Sequence, residues 1–558
     1  MRTLWSLCQF RLDFTHLSVY LRHEQTNTVK MRLGSAWLMA SLWLFSNFHQ
    51  PHAADILGIF PYCQATPFLV VRPYLIALRD RGHKITVITP EEMLDDIEGI
   101  RHIKVPMLNK LVQDVIDYDL LDDFFVSKWS ESLMISNIYK NMSLAILKDD
   151  SVQKMLSNKK VRFDMVILEP SHMDAQYGFA EFYNATLVGF SAVYTDWYIE
   201  FLAGNSAPTV YDPVSPLGYS LDNSLMSRFF NWIYITEELL LDRLIHQPSQ
   251  LAIFKDVFGY STKQLDNLRS SFSVILINNH FSMGRVRANV PNLIEVGGLH
   301  LSEPPEPCDE VLQRFLDEAE HGVIYFSLGM DIMIKYLPLE TQQPLLKSFA
   351  QLKQKVIWKN ELLTMPNKSD NIYVMPKTPQ RRILEHPNVR LFITIGGILS
   401  VTEAIDSGVP MLGLPQFYDQ IGNMHRVEQA GMAKVLDAYS LTAESLTSTI
   451  LELIENPKYA AKAKNMSQSF RDRPMSPLDT AVWWTEYALR HPDVRHIRLN
   501  EDDISFIRYY RLESLLSIGL RFGFIIGIVT LLGYKLAKKY NRRQERIRVF
   551  KMIRLPIK

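Results

Sequence analysis

Cysteine is nearly missing from this chain: Cys8, Cys63 and Cys308 are the only three in 558 residues. Three thiols make no disulfide framework, and no CxxC pair or Cys/His spacing suggests zinc, so no metal site is expected. Net charge is missing as well. Lys+Arg 60 balance Asp+Glu 60, which argues against nucleic acid as a partner. Mean hydropathy near zero excludes a polytopic membrane protein but leaves room for a single span. Apolar residues at 47% and charged residues at 22% are ordinary for globular chains, so disorder, collagen and coiled coil are excluded for most of the length. A single core stops growing at roughly 250–300 residues, which makes two domains plus appendages the expectation.

The exception to the scarcity of apolar runs is Leu515–Tyr534, LLSIGLRFGFIIGIVTLLGY, 20 residues whose single charge is Arg521. That length matches a hydrocarbon core about 30 Å thick. Ten basic residues follow between Lys535 and Lys558, against Glu545 alone, as on the cytoplasmic side of a span. Near the other end, Lys30 and Arg32 precede the apolar run Ala36–Phe45, and small residues follow at Ala53 and Ala54. This is the layout of a secretory signal. Met1 and Met31 remain alternative starts, and cleavage or retention of the segment remain alternative fates. Together the ends predict a single-pass type I membrane protein with a lumenal body. N-x-S/T triplets at Asn141, Asn184, Asn367 and Asn465 suit that compartment.

Between the ends, strand-like and helix-like segments alternate. ILGIF (Ile56–Phe60), a helical stretch Phe68–Arg81 stopped by Gly82, and KITVIT (Lys84–Thr89) form a βαβ unit, hence a parallel sheet. MVIL (Met165–Leu168), a helix near Ala175–Tyr183 and TLVGF (Thr186–Phe190) repeat it. Ser227–Ile245 mixes aromatic and apolar residues with acids and is expected to be a core helix, with a lid or a membrane-surface helix as alternatives. SEPPEPC (Ser302–Cys308) is too proline-rich for a helix or central strand and is read as a linker. The alternation then resumes from VIYFSLG (Val323–Gly329) to PMLGLP (Pro410–Pro415). The expected organisation is an N-terminal extension and signal (1–54), an N-terminal domain (55–300), a linker (301–321), a C-terminal domain (322–500), a transmembrane helix (515–534) and a basic tail (535–558). Ligands of such sheets sit beyond the C-terminal ends of the strands.

The 45 residues Leu391–Val435 read LFITIGGILSVTEAIDSGVPMLGLPQFYDQIGNMHRVEQAGMAKV. Glycines at a strand-to-helix turn admit a diphosphate to the backbone; spacing alone equally allows a turn made for packing. The whole run, however, resembles the signature segment of the UDP-glycosyltransferases, most of all their insect members. DILGIF, RGHKITVIT, FDMVILE, VPNLIEVGGLHL, VIYFSLG, VIWK and HPNVRLFIT extend the resemblance from Ala54 to the C-terminus.

That resemblance implies a GT-B fold: two Rossmann-like, doubly wound α/β domains facing a cleft, here with one C-terminal transmembrane helix. It implies no cofactor but a UDP-sugar co-substrate, UDP-glucose or UDP-glucuronate, a small lipophilic acceptor, and inverting transfer without a metal. It further implies an endoplasmic reticulum membrane location, contact with membrane lipid, and homo- or hetero-oligomers with related members. On the donor side, Glu403 matches the acid for the ribose hydroxyls, Asp419 and Gln420 the pair for the sugar hydroxyls, and Gln380 a uracil-side residue. Gly396, Gly397 and Asn423 match the phosphate region, and Ser327 the glycine-loop serine.

The chain departs from the family where the chemistry sits. The catalytic histidine's place is Pro67, the diphosphate-contacting histidine's is Ile395, the uracil-stacking tryptophan's is Lys377, and the serine after the SLG turn is Met330. The partner acid is kept as Glu169, with a second acid at Asp174; His172 between them is expected to be a solvated loop residue, with substitute base as the alternative. General-base catalysis is worth about 10²–10⁴-fold. The resemblance therefore carries two readings: a transferase with altered machinery, or a catalytically silent relative that binds lipophiles or regulates active members.

Overall fold

The computed structural model describes residues 53–62, 66–90, 97–117, 128–192, 195–205, 224–283, 289–329, 339–360, 368–416, 419–438, 440–493, 496–499 and 512–553. The expected signal at Ala36–Phe45, Met330 and the Asn367 triplet lie outside them. Residues from Ala54 onward form one compact unit.

Short β-branched runs such as MVIL and VILI are buried on every residue, as parallel strands covered on both faces must be. The first sheet contains β1 (Asp55–Ile59), β2 (Lys84–Thr89), β3 (Ile100–Lys104), β4 (Met165–Leu168), β5 (Thr186–Ser191), β6 (Val274–Ile277) and β7 (Leu293–Glu295). Its order is β3-β2-β1-β4-β5-β6-β7, and every neighbouring pair is parallel. The second contains β8 (Val323–Ser327), β9 (Lys355–Lys359), β10 (Ile372–Met375), β11 (Val389–Thr394), β12 (Met411–Gly413) and β13 (Ala433–Val435), also parallel, in the order β10-β9-β8-β11-β12-β13. Each is a doubly wound sheet. Strand order reverses between β1 and β4 in one and between β8 and β11 in the other, and such reversals are where crevices for ligands open.

Helix α1 (Phe68–Asp80) follows β1 and starts at Pro67, whose φ of -60° already suits a helix. Helices α2 (Trp197–Ala203), α3 (Leu225–Leu241), α4 (Gln247–Phe258) and α5 (Thr262–Arg269) lie between β5 and β6 in the chain. One π turn, Asp242–His246, joins α3 to α4. The proline-rich segment leads into α6 (Glu310–Asp317), so part of the expected linker is helical. The second sheet carries α7 (Ile398–Ser407) after β11 and α8 (Asp419–Gln429) after β12.

The chain then returns to the first domain. Helix α9 (Pro477–Arg490) packs on α1, where the Tyr74 hydroxyl lies 2.6 Å from Thr485 Oγ1. Arg473 donates to the Gly297 carbonyl at 2.8 Å. Linker residue Glu303 pairs with Arg72 at 2.5 Å, and Arg381 donates to the Leu301 carbonyl at 3.2 Å, so the proline stretch is stitched to both halves. Finally, α10 (Leu512–Ile553) is unburied over Leu516–Val549 and contains there an apolar stretch long enough to cross a membrane. The helix does not stop at Tyr534 but runs on through the basic residues.

Candidate functional site

At the β1/β4 reversal, three strand ends bring three side chains together. Tyr62 lies just beyond β1, Glu169 just beyond β4, and Ser191 ends β5. The Tyr62 hydroxyl donates to Glu169 Oε2, and the Ser191 hydroxyl donates to Oε1 at 3.1 Å. Burial drives the Glu169 pKa up to about 7, although both hydrogen bonds favour its charged form. Pro67 stands at the start of α1, with its carbonyl accepting from the Val70 and Val71 amides. It offers no acid–base group, so Glu169 is the titratable carboxyl at these strand ends.

Asp174 shares no hydrogen-bond partner with Glu169. It accepts from the Tyr198 hydroxyl and faces Arg269 Nε at 3.3 Å. Arg269 also donates to Asp242 at 2.6 Å, and Asp242 meets His172 Nδ1 at 3.2 Å. The His172 ring stacks on Tyr198 at 3.9 Å and on His246 at 4.6 Å. Hence His172 is not the solvated loop residue expected from sequence. It is a member of an internal ion cluster. Burial opposes its charge, but Asp242, Asp196 and Asp174 together raise its pKa above the ordinary value.

At the β8/β11 reversal, β11 runs into Ile395-Gly396-Gly397 and then α7. Gly396 has φ +93°, and a Cβ there would collide with Met424, so the turn needs glycine. A Cβ at Gly397 would meet nothing within 4 Å. The N-terminus of α7 thus has open space beside it, and its free amides suit an anion. Ile395 points the other way, buried in the apolar core of the second domain.

Around that opening the side chains are held by one another. Gln380 Nε2 donates to Glu403 Oε2 at 2.7 Å and to Ser400 Oγ at 3.0 Å, while its Oε1 accepts from Tyr325 at 3.0 Å. Burial lifts the Glu403 pKa to about 7, against the pull of Gln380 and Arg381. His300, from the segment after β7, brings Nε2 to 3.8 Å from Glu403 Oε1. Asn423 donates to Asp419 Oδ2 at 2.7 Å and to the Gly396 carbonyl at 3.1 Å. Burial raises the Asp419 pKa to about 6. Gln420 Oε1 accepts from Gln416 N at 3.2 Å, and Ser327 Oγ accepts from Gly329 N at 3.2 Å.

Of the donor-side residues expected from sequence, Gln380 and Glu403 are bonded to each other, as are Asn423, Asp419 and the Gly396 carbonyl. Lys377 is turned away: its ammonium is exposed and paired with linker residue Glu306 at 3.0 Å. Sequence reasoning missed Tyr62, Ser191, Tyr325, Ser400 and His300. No local pattern marks them, because their partners are 20 to 107 residues distant.

Two parallel Rossmann-like sheets with their reversals at paired strand ends define the GT-B class of glycosyltransferases. Among solved structures, the glycosyltransferase VinC in complex with DTDP matches with a TM-score of 0.53 and 16% identity, over 78% of this chain and 100% of that one, a likeness of fold. A family model described as "UDP-glucoronosyl and UDP-glucosyl transferase" matches residues 67–547. UDP-glucosyltransferase 2 of Dactylopius coccus is 31% identical over 473 residues, 83% of this chain and 89% of that protein. UDP-glucuronosyltransferase 2B16 of Oryctolagus cuniculus is 29% identical over 490 residues, 84% and 90% of the two. The chain belongs to the UDP-glucuronosyl and UDP-glucosyl transferase family.

Proposed function

We propose that this protein moves a hexosyl group from UDP-glucose or UDP-glucuronate to the hydroxyl of a small lipophilic acceptor, with inversion and without a metal. It does so anchored in the endoplasmic reticulum membrane as a type I protein. The observation that carries this reading is the open N-terminus of α7 at Gly397, flanked by the Gln380–Glu403 pair. The diphosphate takes the α7 amides, with Gly396, Asn423 and Ser327 around it. Glu403 receives the ribose hydroxyls, Asp419 and Gln420 the hydroxyls of the sugar, and Gln380 lies toward the uracil.

Chemistry falls to Glu169, because Pro67 supplies no base. The acceptor's O–H proton passes to the Glu169 carboxylate. Its oxygen bonds to the anomeric carbon from the face opposite UDP. The bond from that carbon to the diphosphate oxygen breaks, and UDP leaves with the electron pair. Tyr62 and Ser191 orient the carboxylate and favour its charged form. The burial that raises its pKa makes it a better proton acceptor than an ordinary carboxylate.

The test is UDP release by the full chain in nanodiscs, with both UDP-sugars and a panel of phenols. Glu169→Gln should lower release by about 10²-fold or more while UDP still binds. UDP binding with no release from the wild type would make the protein a silent binding relative instead.

A further inference from the structure

A buried histidine stands behind the Gln380–Glu403 pair with both ring nitrogens idle. His300 lies on the single 3₁₀ turn Leu299–Ser302, which packs on α1 and α9 and so belongs with the first domain. Its ring reaches across to α7 of the second. The side chain is 3% exposed, and neither Nδ1 nor Nε2 closes a hydrogen bond. Facing the ring are the Leu399 backbone, in the first turn of α7, and Glu403 Oε1, 3.8 Å from Nε2. Burial and the nearby Arg381 push the His300 pKa down to about 3. The ring is therefore neutral and carries a single N–H.

A neutral imidazole with no partner is a poor core residue. A phenyl group would fill the space without leaving buried polar atoms unpaired. The mounting of the ring supplies its reason. Arg381, next to Gln380 on the short helix Gln380–Leu384, donates to the carbonyls of His300 at 3.5 Å, Leu301 at 3.2 Å and Glu303. The His300 turn and Gln380 are thereby fixed to one another. Gln380 takes one carboxylate oxygen of Glu403, Oε2, at 2.7 Å, and His300 faces the other.

We propose that His300 is a positioning residue for donor binding: its Nε2–H closes onto Glu403 Oε1 when the nucleotide binds, and holds the carboxylate charged and aimed at the ribose. The 3.8 Å gap is about 1 Å longer than a charge-assisted N–H···O contact. It lies between residues of the two domains, so a small approach of the halves closes it. The inference rests on Glu403 receiving the ribose, as proposed above. The titratable or charged groups facing Glu403 are Arg381, Asp406 on the next turn of α7, Tyr325 of β8 and His300. Of these, His300 alone is carried by the first domain. It ties the ribose acid to the seating of that domain.

The test is UDP titration of the full chain in nanodiscs, on both sides of neutrality. His300→Phe should weaken binding about 10-fold where Glu403 is ionised. Ionisation is complete above the Glu403 value of about 7, so the loss should be full there and shrink as pH falls through it. His300→Gln, which keeps an N–H donor of similar reach, should recover most of the affinity. A packing role gives the opposite order, since Gln buries an unpaired amide and Phe does not. In a Glu403→Ala background the His300→Phe loss should vanish. Equal affinities of wild type and His300→Phe, beside a weakened Glu403→Ala, would overturn the inference and leave the donor site standing. Glu403→Ala binding UDP as tightly as wild type would remove the site, and the role of His300 with it. His300→Leu stands beside His300→Phe should either apolar variant fold poorly.

Discussion

Gln380 Nε2 stands 2.7 Å from Glu403 Oε2, fixing one carboxylate oxygen before any nucleotide arrives. The same Gln380 is fixed in turn by the Tyr325 hydroxyl at 3.0 Å, so the geometry runs back to a fully buried residue of β8. In the proposed donor site this preset acid receives the ribose hydroxyls, and little ordering remains to be done on binding.

Replacing Glu403 with Ala should therefore weaken UDP binding. A hydrogen bond involving a charged group is worth about 1.5–3 kcal/mol, so the expected loss is about 10- to 150-fold in Kd. Gln380→Leu, which frees Glu403 without removing it, should cost less. Calorimetry on both variants checks the order.

The pH profile should report Glu169. A base works in its deprotonated form, so transfer should rise with pH through the carboxyl's value of about 7 and level off above it. Tyr62→Phe removes a hydrogen bond that favours the carboxylate, and the midpoint should move to higher pH. The profile of kcat/KM in wild type and variant decides this; an unmoved midpoint would remove Tyr62 from the account.

The ion cluster of Asp174, Arg269, Asp242 and His172 should govern stability and leave UDP affinity alone. Arg269→Met leaves two buried carboxylates without their cation and should cost about 3–5 kcal/mol. His172→Phe should be milder and pH-dependent. Because the folded-state pKa of His172 is raised, its contribution is complete below the ordinary value of about 6.5 and is lost as pH rises through the raised value. Denaturation midpoints against pH should show the two proteins converging at alkaline pH.

Restoring the family's residues should not succeed equally. Lys377→Trp gives up only an exposed ion pair with Glu306, worth at most about 1 kcal/mol, and should tighten UDP binding by stacking. Ile395→His places an imidazole in an apolar core and should destabilise by about 1–3 kcal/mol. UDP titrations and thermal unfolding of the two variants would separate these outcomes.

The alternation of β-branched runs and helices was enough to read β1, β2, β4 and β5 of the first sheet and β8 to β12 of the second, because these strands are short and mostly apolar, whereas β3, β6, β7 and β13 were not so read. The signature run likewise placed Gly396 and Gly397 at a strand-to-helix turn, where β11 gives way to α7. Side-chain pairing was not legible. His172 looks like a loop histidine until Asp242, 70 residues on, is brought to it. Tyr62 meets Glu169 across 107 residues. Helix α3 misled for a related reason: its composition suits a core, yet it buries only part of its apolar set, Ile235 and Leu241 beside Asn231 and Glu238, and leaves Met226, Phe229 and Phe230 exposed. Lys377, at the place of the family's stacking tryptophan, pairs with the linker acid Glu306, a contact 71 residues back that no local pattern marks.

The most direct measurement is a titration of the full chain in nanodiscs with UDP, beside its Glu403→Ala variant. Saturable micromolar binding, weakened by the substitution, is the expected result. No detectable heat or protection at millimolar UDP would contradict the claim that the space beside Gly397 accepts a nucleotide.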